Sequence, residues 1–185
     1  MIGKNRVTIE EDIETIETDR DDQESPPPPL TTEEKALIKS TWAKIEADAE
    51  AVGPMAFVNQ FEMPPEKGSD SVPFKSIEVN NERFNKILRN HGLKVFNTIR
   101  KMVSRIEEDD KMVAAVEATG CRHAGYGGEA SLTDLMCPQF MQAIQSSLDT
   151  MWSVEVEQAY THLSSILTFH MKKSWSISEK ENDLN

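Results

Sequence analysis

The helical spacing of apolar residues between Phe84 and Ile106 constrains the fold more than any other feature of the sequence. Apolar residues recur there about every three to four positions, as on a helix that buries one face. They are Phe84, Ile87, Leu88, Val95, Ile99, Met102, Val103 and Ile106. Further segments show the same spacing, whereas none alternates apolar and polar residues as a half-buried strand does. The sequence therefore predicts an all-α fold, with no internal repeat of fixed period.

Boundary signals predict where the first helices begin and end. Thr31 and Glu34 have the spacing of a capping box, which marks the start of the first helix. A second helix is predicted over about 49–61, where Gly53 marks either a close helix crossing or merely a tolerated glycine. The long apolar stripe predicts a third helix over about 81–107.

Similar signals divide the second half of the chain. Acidic residues at 107–110 favour the start of a helix, where the helix dipole is positive, and a glycine-rich stretch ends that helix near His123. Pro138 is predicted near the start of the next helix, where proline is tolerated. Ser153 is the predicted N-cap of a last helix, whose apolar stripe closes at Trp175.

Charge and composition exclude several classes of protein. The 185 residues are 38% hydrophobic and 28% charged, which is typical of one globular domain with extensions. A net charge of −12 argues against nucleic-acid binding, because phosphate-binding surfaces are basic. We expect no membrane span and no signal peptide, since the apolar runs are short. Two cysteines, Cys121 and Cys137, are too few for a disulfide framework, so a cytoplasmic location is expected.

Acidic charge is concentrated near the N-terminus. Residues 1–29 contain nine acidic and three basic residues, and nine minus three gives −6 of the −12 net charge. Four prolines at 26–29 favour polyproline II and oppose a helix. We predict a disordered acidic arm over 1–29, with a short amphipathic helix against a partner as the alternative. The globular domain is expected over 30–175, followed by a frayed tail over 176–185.

Two histidines lie on apolar helix faces. His91 interrupts the long apolar stripe, and His123 ends the stripe of the following helix. An unpaired buried polar group costs roughly 1–3 kcal/mol, so each ring needs a partner. Singly, each histidine is typical of a core residue bonded to a carbonyl. Together, two inward imidazoles on an apolar slot favour haem, a large apolar plate whose iron binds imidazole nitrogen.

Four segments of the chain resemble the globin family. "LTTEEKALIKSTWAKI" is similar to the first globin helix, "NHGLKVF" to the distal helix, "CRHAGYGG" to the proximal segment and "SVEVEQAYTHLSSIL" to the last helix. The resemblance covers about residues 30–175. His123 follows His91 by 32 residues, a spacing that resembles neuroglobin- and cytoglobin-like globins. The resemblance implies a globin fold of about eight helices around a haem b pocket.

The resemblance also implies roles for individual residues. His123 would be the proximal iron ligand, and His91 would be either a sixth ligand or a hydrogen-bond donor to bound O2. Other expected haem contacts are Phe57, Phe74, Lys94, Val95, Arg122, Phe140 and Ile144. For each of these the alternative is an ordinary core or surface residue. Globins carry a haem-packing phenylalanine that a gapless count places at Ser71, so either Phe74 replaces it or this aromatic is missing.

Three functions stay open on this resemblance. The first is reversible binding of O2, CO or NO in the cytoplasm, with NO dioxygenase or nitrite reductase chemistry as a side activity and a reductase as partner. The second is signalling, in which the state of the haem changes how the acidic arm binds a protein partner. The third is a globin fold without haem. The sequence leaves open whether the protein is a monomer or a homodimer.

Overall fold

The fold is helical throughout the part of the chain that the structure describes. The computed structural model describes residues 25–61, 82–125, 130 and 132–183, and within these ranges there is no strand. The helices are α1 (Thr32–Ala47), α2 (Ala49–Phe61), α3 (Glu82–Val103), α4 (Asp109–Ala124), α5 (Leu132–Leu148) and α6 (Val154–Asp183), with a 3-10 turn at Asp149–Met151. The predicted all-α class is confirmed. None of the described helices is long and apolar enough to cross a membrane.

The two predicted helix caps are present. The backbone N–H of Thr31 donates to Glu34 Oε2 at 2.8 Å, and the N–H of Glu34 donates to Thr31 Oγ1 at 3.2 Å. These reciprocal bonds form the capping box that begins α1. At the start of α6, the N–H of Val156 donates to Ser153 Oγ at 3.3 Å. Local sequence therefore fixes the starts of the first and last helices.

The start of α5 differs from the prediction. The helix begins at Leu132, so Pro138 lies inside it, and the prediction of Pro138 near the helix start was wrong. Proline in a helix interior removes one backbone hydrogen bond. A contact between helices supports the early first turn, because Lys172 Nζ on α6 donates to Asp134 Oδ2 at 2.6 Å. The residues near Asp134 in the sequence did not predict this contact with α6.

The ends of two other helices also differ from the expected positions. α3 ends at Val103 rather than near 107, and residues 104–107 form a turn before α4. α6 continues through 176–183, where the sequence suggested a frayed tail. Within this extension Trp175 Nε1 donates to Glu179 Oε1 at 2.7 Å, one helical turn further on. Such bonds between residues four apart stabilise a helix locally.

All six helices contribute buried residues to one hydrophobic core. α2 packs against α3 and α5, while α4 packs mainly against α6. Trp42 of α1 stacks on Phe96 of α3, with ring centroids 5.6 Å apart. Thr41 Oγ1 and Tyr160 Oη, both buried, form a hydrogen bond of 2.9 Å that joins α1 to α6. Burial raises the pKa of Tyr160 to about 12, so this bond is between neutral hydroxyls.

The chain segment ahead of α1 contacts the helical body. Leu30 belongs to the buried core, and the carbonyl oxygen of Pro28 lies 3.1 Å from His162 Nε2 on α6. The other ring nitrogen, Nδ1, lies 2.9 Å from Glu34 Oε1. His162, to which the sequence assigned no role, therefore links α6 to α1 and to the proline segment. Residues 1–24 of the predicted acidic arm lie outside the described residues.

Candidate functional site

His123 lies in the last turn of α4, with its ring oriented by the backbone of the same helix. Its Nδ1 is 2.8 Å from the carbonyl oxygen of Thr119, one turn earlier. A carbonyl only accepts hydrogen bonds, so Nδ1 carries the proton and donates it. In the neutral ring the lone pair is then on Nε2, the nitrogen through which a histidine in this tautomer would bind a metal. The sequence predicted His123 as an inward-facing ligand, and its backbone partner supplies the orientation that a ligand needs.

His91 lies half-buried on α3, close enough to His123 for the two rings to interact electrostatically. Burial lowers the pKa of His91, and the charges of His123 and Lys94 lower it further. The ordinary histidine pKa is about 6.5, so His91 is neutral at neutral pH. A neutral imidazole has the lone pair that metal binding needs and the N–H that can donate to a bound gas.

A close crossing of α2 and α3 sets the position of His91. A Cβ added at Gly92 would overlap the carbonyl oxygen of Gly53 and lie 3.0 Å from Pro54 Cα. A Cβ added at Gly53 would lie 3.0 Å from the carbonyl oxygen of Gly92. Gly53 therefore marks a close helix crossing, the first of the two alternatives that the sequence left open. The backbone beside His91 rests directly on the backbone of α2.

The cations near the two histidines differ in their contacts. Lys94 is exposed and near enough to His91 to lower the pKa of that ring. Arg122 is also exposed, but its guanidinium donates to Thr119 Oγ1 at 2.9 Å. Thr119 thus accepts one hydrogen bond from Arg122 at its hydroxyl oxygen and another from His123 at its carbonyl oxygen. This observed partner turns Arg122 back toward its own helix.

The structure describes some of the apolar residues predicted to contact haem, but not all of them. Phe140 and Ile144 are 7% and 0% exposed within the core, and Val95 is half-buried against that core. Core packing accounts for their burial, so their contact with haem stays a prediction. Phe74 and the side chain of Phe57 lie outside the described residues.

Sequence reasoning missed Trp175 as a neighbour of His123. The ring centroids of the two residues are 5.3 Å apart, with planes tilted by 43°. α6 approaches α4 closely here, because a Cβ added at Gly120 would overlap Ser174 Oγ and the carbonyl oxygen of Met171. Gly120 lies three positions before His123 in the sequence, but a glycine in a helix does not indicate which residue packs beside it.

The two histidines offer imidazole nitrogens, which haem iron accepts as ligands. Across the described ranges, no group of three or more His, Cys, Asp or Glu residues is arranged to hold a metal. Two imidazoles from different helices match the axial ligands of haem, since the porphyrin supplies the four equatorial nitrogens. His91 and His123 therefore fit this cofactor.

Comparisons with known proteins identify the family of this chain. The Globin family model matches residues 73–171, a range that contains both histidines and more than half of the chain. Cytoglobin-1 from Oryzias latipes is 26% identical over 145 residues, covering 77% of this chain and 82% of the relative. Cytoglobin-2 from Danio rerio is 25% identical over 167 residues, covering 87% of this chain and 93% of the relative.

One solved structure is similar in fold. It is the crystal structure of a hexacoordinated heme protein from an anhydrobiotic tardigrade at pH 4, with a TM-score of 0.70 and 19% sequence identity. The similarity covers 80% of this chain and 96% of that chain. The helical architecture and the family match agree, and the chain belongs to the globin family.

Proposed function

We propose that this globin holds haem b through His123 and reversibly binds O2, and also CO and NO. The observation that carries the proposal is the hydrogen bond of 2.8 Å between His123 Nδ1 and the Thr119 carbonyl. It leaves Nε2 as the acceptor nitrogen, with the neutral imidazole of His91 nearby. Haem, when bound, supplies a ferrous iron at which diatomic gases bind.

His123 and Thr119 form the proximal part of this proposal. A histidine ligand that donates its second N–H to a carbonyl is fixed in tautomer and ring orientation, and its ligating nitrogen becomes more basic. The Thr119 carbonyl performs this role within α4 itself, because residues four apart lie on the same helix face. One edge of the ligand ring is thus held by a bond within α4.

His91 forms the distal part. We propose that it is the sixth iron ligand in the absence of gas, with hydrogen bonding to bound O2 as the alternative. Burial keeps the ring neutral, so no proton has to leave before the lone pair can bind iron. The similarity to a structure described as hexacoordinated supports this assignment. We further propose that Lys94 and Arg122 lie near the haem propionates and that the predicted apolar residues contact the plate.

An absorbance spectrum of the purified, haem-reconstituted chain tests the proposal. We expect a stoichiometric Soret band, and split low-spin visible bands in the reduced, ligand-free state. His91→Ala should convert the reduced form to a broad high-spin spectrum while keeping the haem. His123→Ala should lose haem far more readily, because it removes the proximal ligand.

His162→Gln is the matched control, since it removes a histidine that contacts Glu34 and Pro28 rather than the site. Its spectrum should equal that of the unmodified chain. Absence of a Soret band at stoichiometric haem would refute haem binding altogether. A high-spin reduced spectrum in the unmodified chain would instead remove the sixth-ligand role of His91 and leave the hydrogen-bonding role.

A further inference from the structure

The C-terminal part of α6 places an aromatic ring on the proximal histidine. Trp175 is only 4% exposed, and its ring centroid lies 5.3 Å from that of His123. The geometry points to Trp175 as a positioning residue that fixes the orientation of the His123 imidazole. This inference rests on the proposed function, because orientation matters only if His123 binds iron.

Trp175 is itself held in place. Its Nε1–H donates to Glu179 Oε1 at 2.7 Å, and the indole has no other donor. The contact with His123 is therefore a ring contact without a hydrogen bond from the indole N–H, while the bond to Glu179 anchors the indole. Because Glu179 lies one turn further along α6, the extension beyond Trp175 is needed for this anchor.

The backbone of α6 is fixed against α4 at the same level. A Cβ at Gly120 would overlap Ser174 Oγ and the Met171 carbonyl oxygen, and would lie 3.1 Å from the backbone nitrogen of Trp175. Gly120 precedes His123 by three residues, so the two lie on one face of α4. The backbone of α6 thus lies directly against the backbone of α4 beside His123. This close approach leaves Trp175 little freedom to move away from the His123 ring.

Among the described residues, contacts with Thr119 and Trp175 both constrain the plane of the His123 ring. The bond from Nδ1 to the Thr119 carbonyl fixes one ring edge but still permits the ring to tilt about that bond. The indole of Trp175 lies against the ring at an interplanar angle of 43° and blocks part of this tilt. Groups that orient a metal ligand tune the bond between that ligand and the metal. Removal of Trp175 should therefore loosen the iron–histidine bond without removing the ligand.

The experiment compares Trp175→Ala and Trp175→Phe in the full chain carrying His91→Ala, whose reduced haem iron has His123 as its one protein ligand. Resonance Raman spectroscopy gives the iron–histidine stretching band. We expect Trp175→Ala to shift and broaden this band and to speed haem transfer to an acceptor apoglobin by roughly 10-fold. Trp175→Phe keeps a ring against His123 and should restore most of both properties.

Trp152→Leu is the matched control, because it removes a half-buried tryptophan at the turn between α5 and α6. It should leave the band unchanged. Glu179→Gln retains the indole but weakens its anchor, and should shift the band in the same direction by less, even if Trp175→Ala does not fold. An unchanged band in both Trp175→Ala and Glu179→Gln, or in Glu179→Gln alone where Trp175→Ala does not fold, would overturn the inference. Failure of the unmodified chain to bind haem would instead overturn the proposed function.

Discussion

Alanine at position 92 should destabilise the fold by forcing α2 and α3 apart. Its Cβ would overlap the carbonyl oxygen of Gly53, and would lie 2.8 Å from the carbonyl carbon of Gly53 and 3.0 Å from Pro54 Cα. All three atoms belong to the backbone of α2, so no side-chain rotation relieves the overlap. The two helices must separate instead, and their contacts on either side of the crossing weaken.

Two opposing effects set the size of the loss. Glycine to alanine inside a helix gains about 1 kcal/mol in helix propensity. Overpacking typically costs about 1–3 kcal/mol and occasionally more, and the upper end applies because the opposing atoms are backbone. We therefore expect a net loss of about 2 kcal/mol in the free energy of unfolding. At about 2–4 °C per kcal/mol, the melting temperature should fall by about 4–8 °C.

Urea denaturation followed by far-UV circular dichroism measures this loss. Gly125→Ala is the control, because among the described residues its added Cβ meets the Arg122 carbonyl oxygen at 3.5 Å and its φ of −76° suits alanine. It should be neutral or slightly stabilising. The stability of Gly53→Ala should lie between those of Gly92→Ala and Gly125→Ala, since its added Cβ would be 3.0 Å from the Gly92 carbonyl oxygen. A Gly92→Ala variant as stable as Gly125→Ala would show that the crossing is looser than these distances.

Three further predictions concern contacts at α1 and α6. Tyr160→Phe removes the buried bond of 2.9 Å to Thr41 and should cost about 1 kcal/mol in urea denaturation; no loss would mean that the bond contributes nothing net. Burial raises the pKa of Glu34, but hydrogen bonds to Thr31 and His162 outweigh it and the net pKa is lowered. The ionised Glu34 carboxylate therefore stabilises the fold above its ordinary pKa of 4.5, and this stabilisation is lost as the pH falls through the lowered pKa. Glu34→Gln should destabilise the fold at pH 7 but have little effect below the lowered pKa. Thermal melts at a series of pH values test this, and a loss of stability that does not change with pH would contradict it. Ser153→Ala should cost about 1 kcal/mol through loss of the α6 cap, whereas Ser153→Asp should not.

The parts of the fold that depend on neighbouring residues were predictable. The capping box of Thr31 and Glu34 and the cap at Ser153 need only the residues within one turn, and both are present. The bounds of α2 agree with the apolar spacing for the same reason. The start of α5 was not predictable, because its first turn is bonded through Asp134 to Lys172, which is 38 residues away in sequence.

In the candidate site too, features that depend on neighbouring residues were predictable, and those that depend on contacts between helices were not. Helical spacing predicted that His91 and His123 lie on the apolar faces of their helices, and both side chains are half-buried. The orientation of His123 by Thr119 could have been inferred from a spacing of four residues. The contact with Trp175 could not, because it depends on how closely α6 crosses α4 at Gly120.

Both histidines lie beside a crossing at which two helix backbones meet. Gly92, the residue after His91, rests on α2, and Gly120, one turn before His123, rests on α6. α3 packs mainly against α2 and α4 mainly against α6, while α3 and α4 share fewer contacts with each other. Backbone contacts resist compression more than side-chain contacts, since no rotamer change relieves them. The positions of the helix segments that carry His91 and His123 are thus set mainly by these two crossings, with α2 and with α6, rather than by packing between α3 and α4.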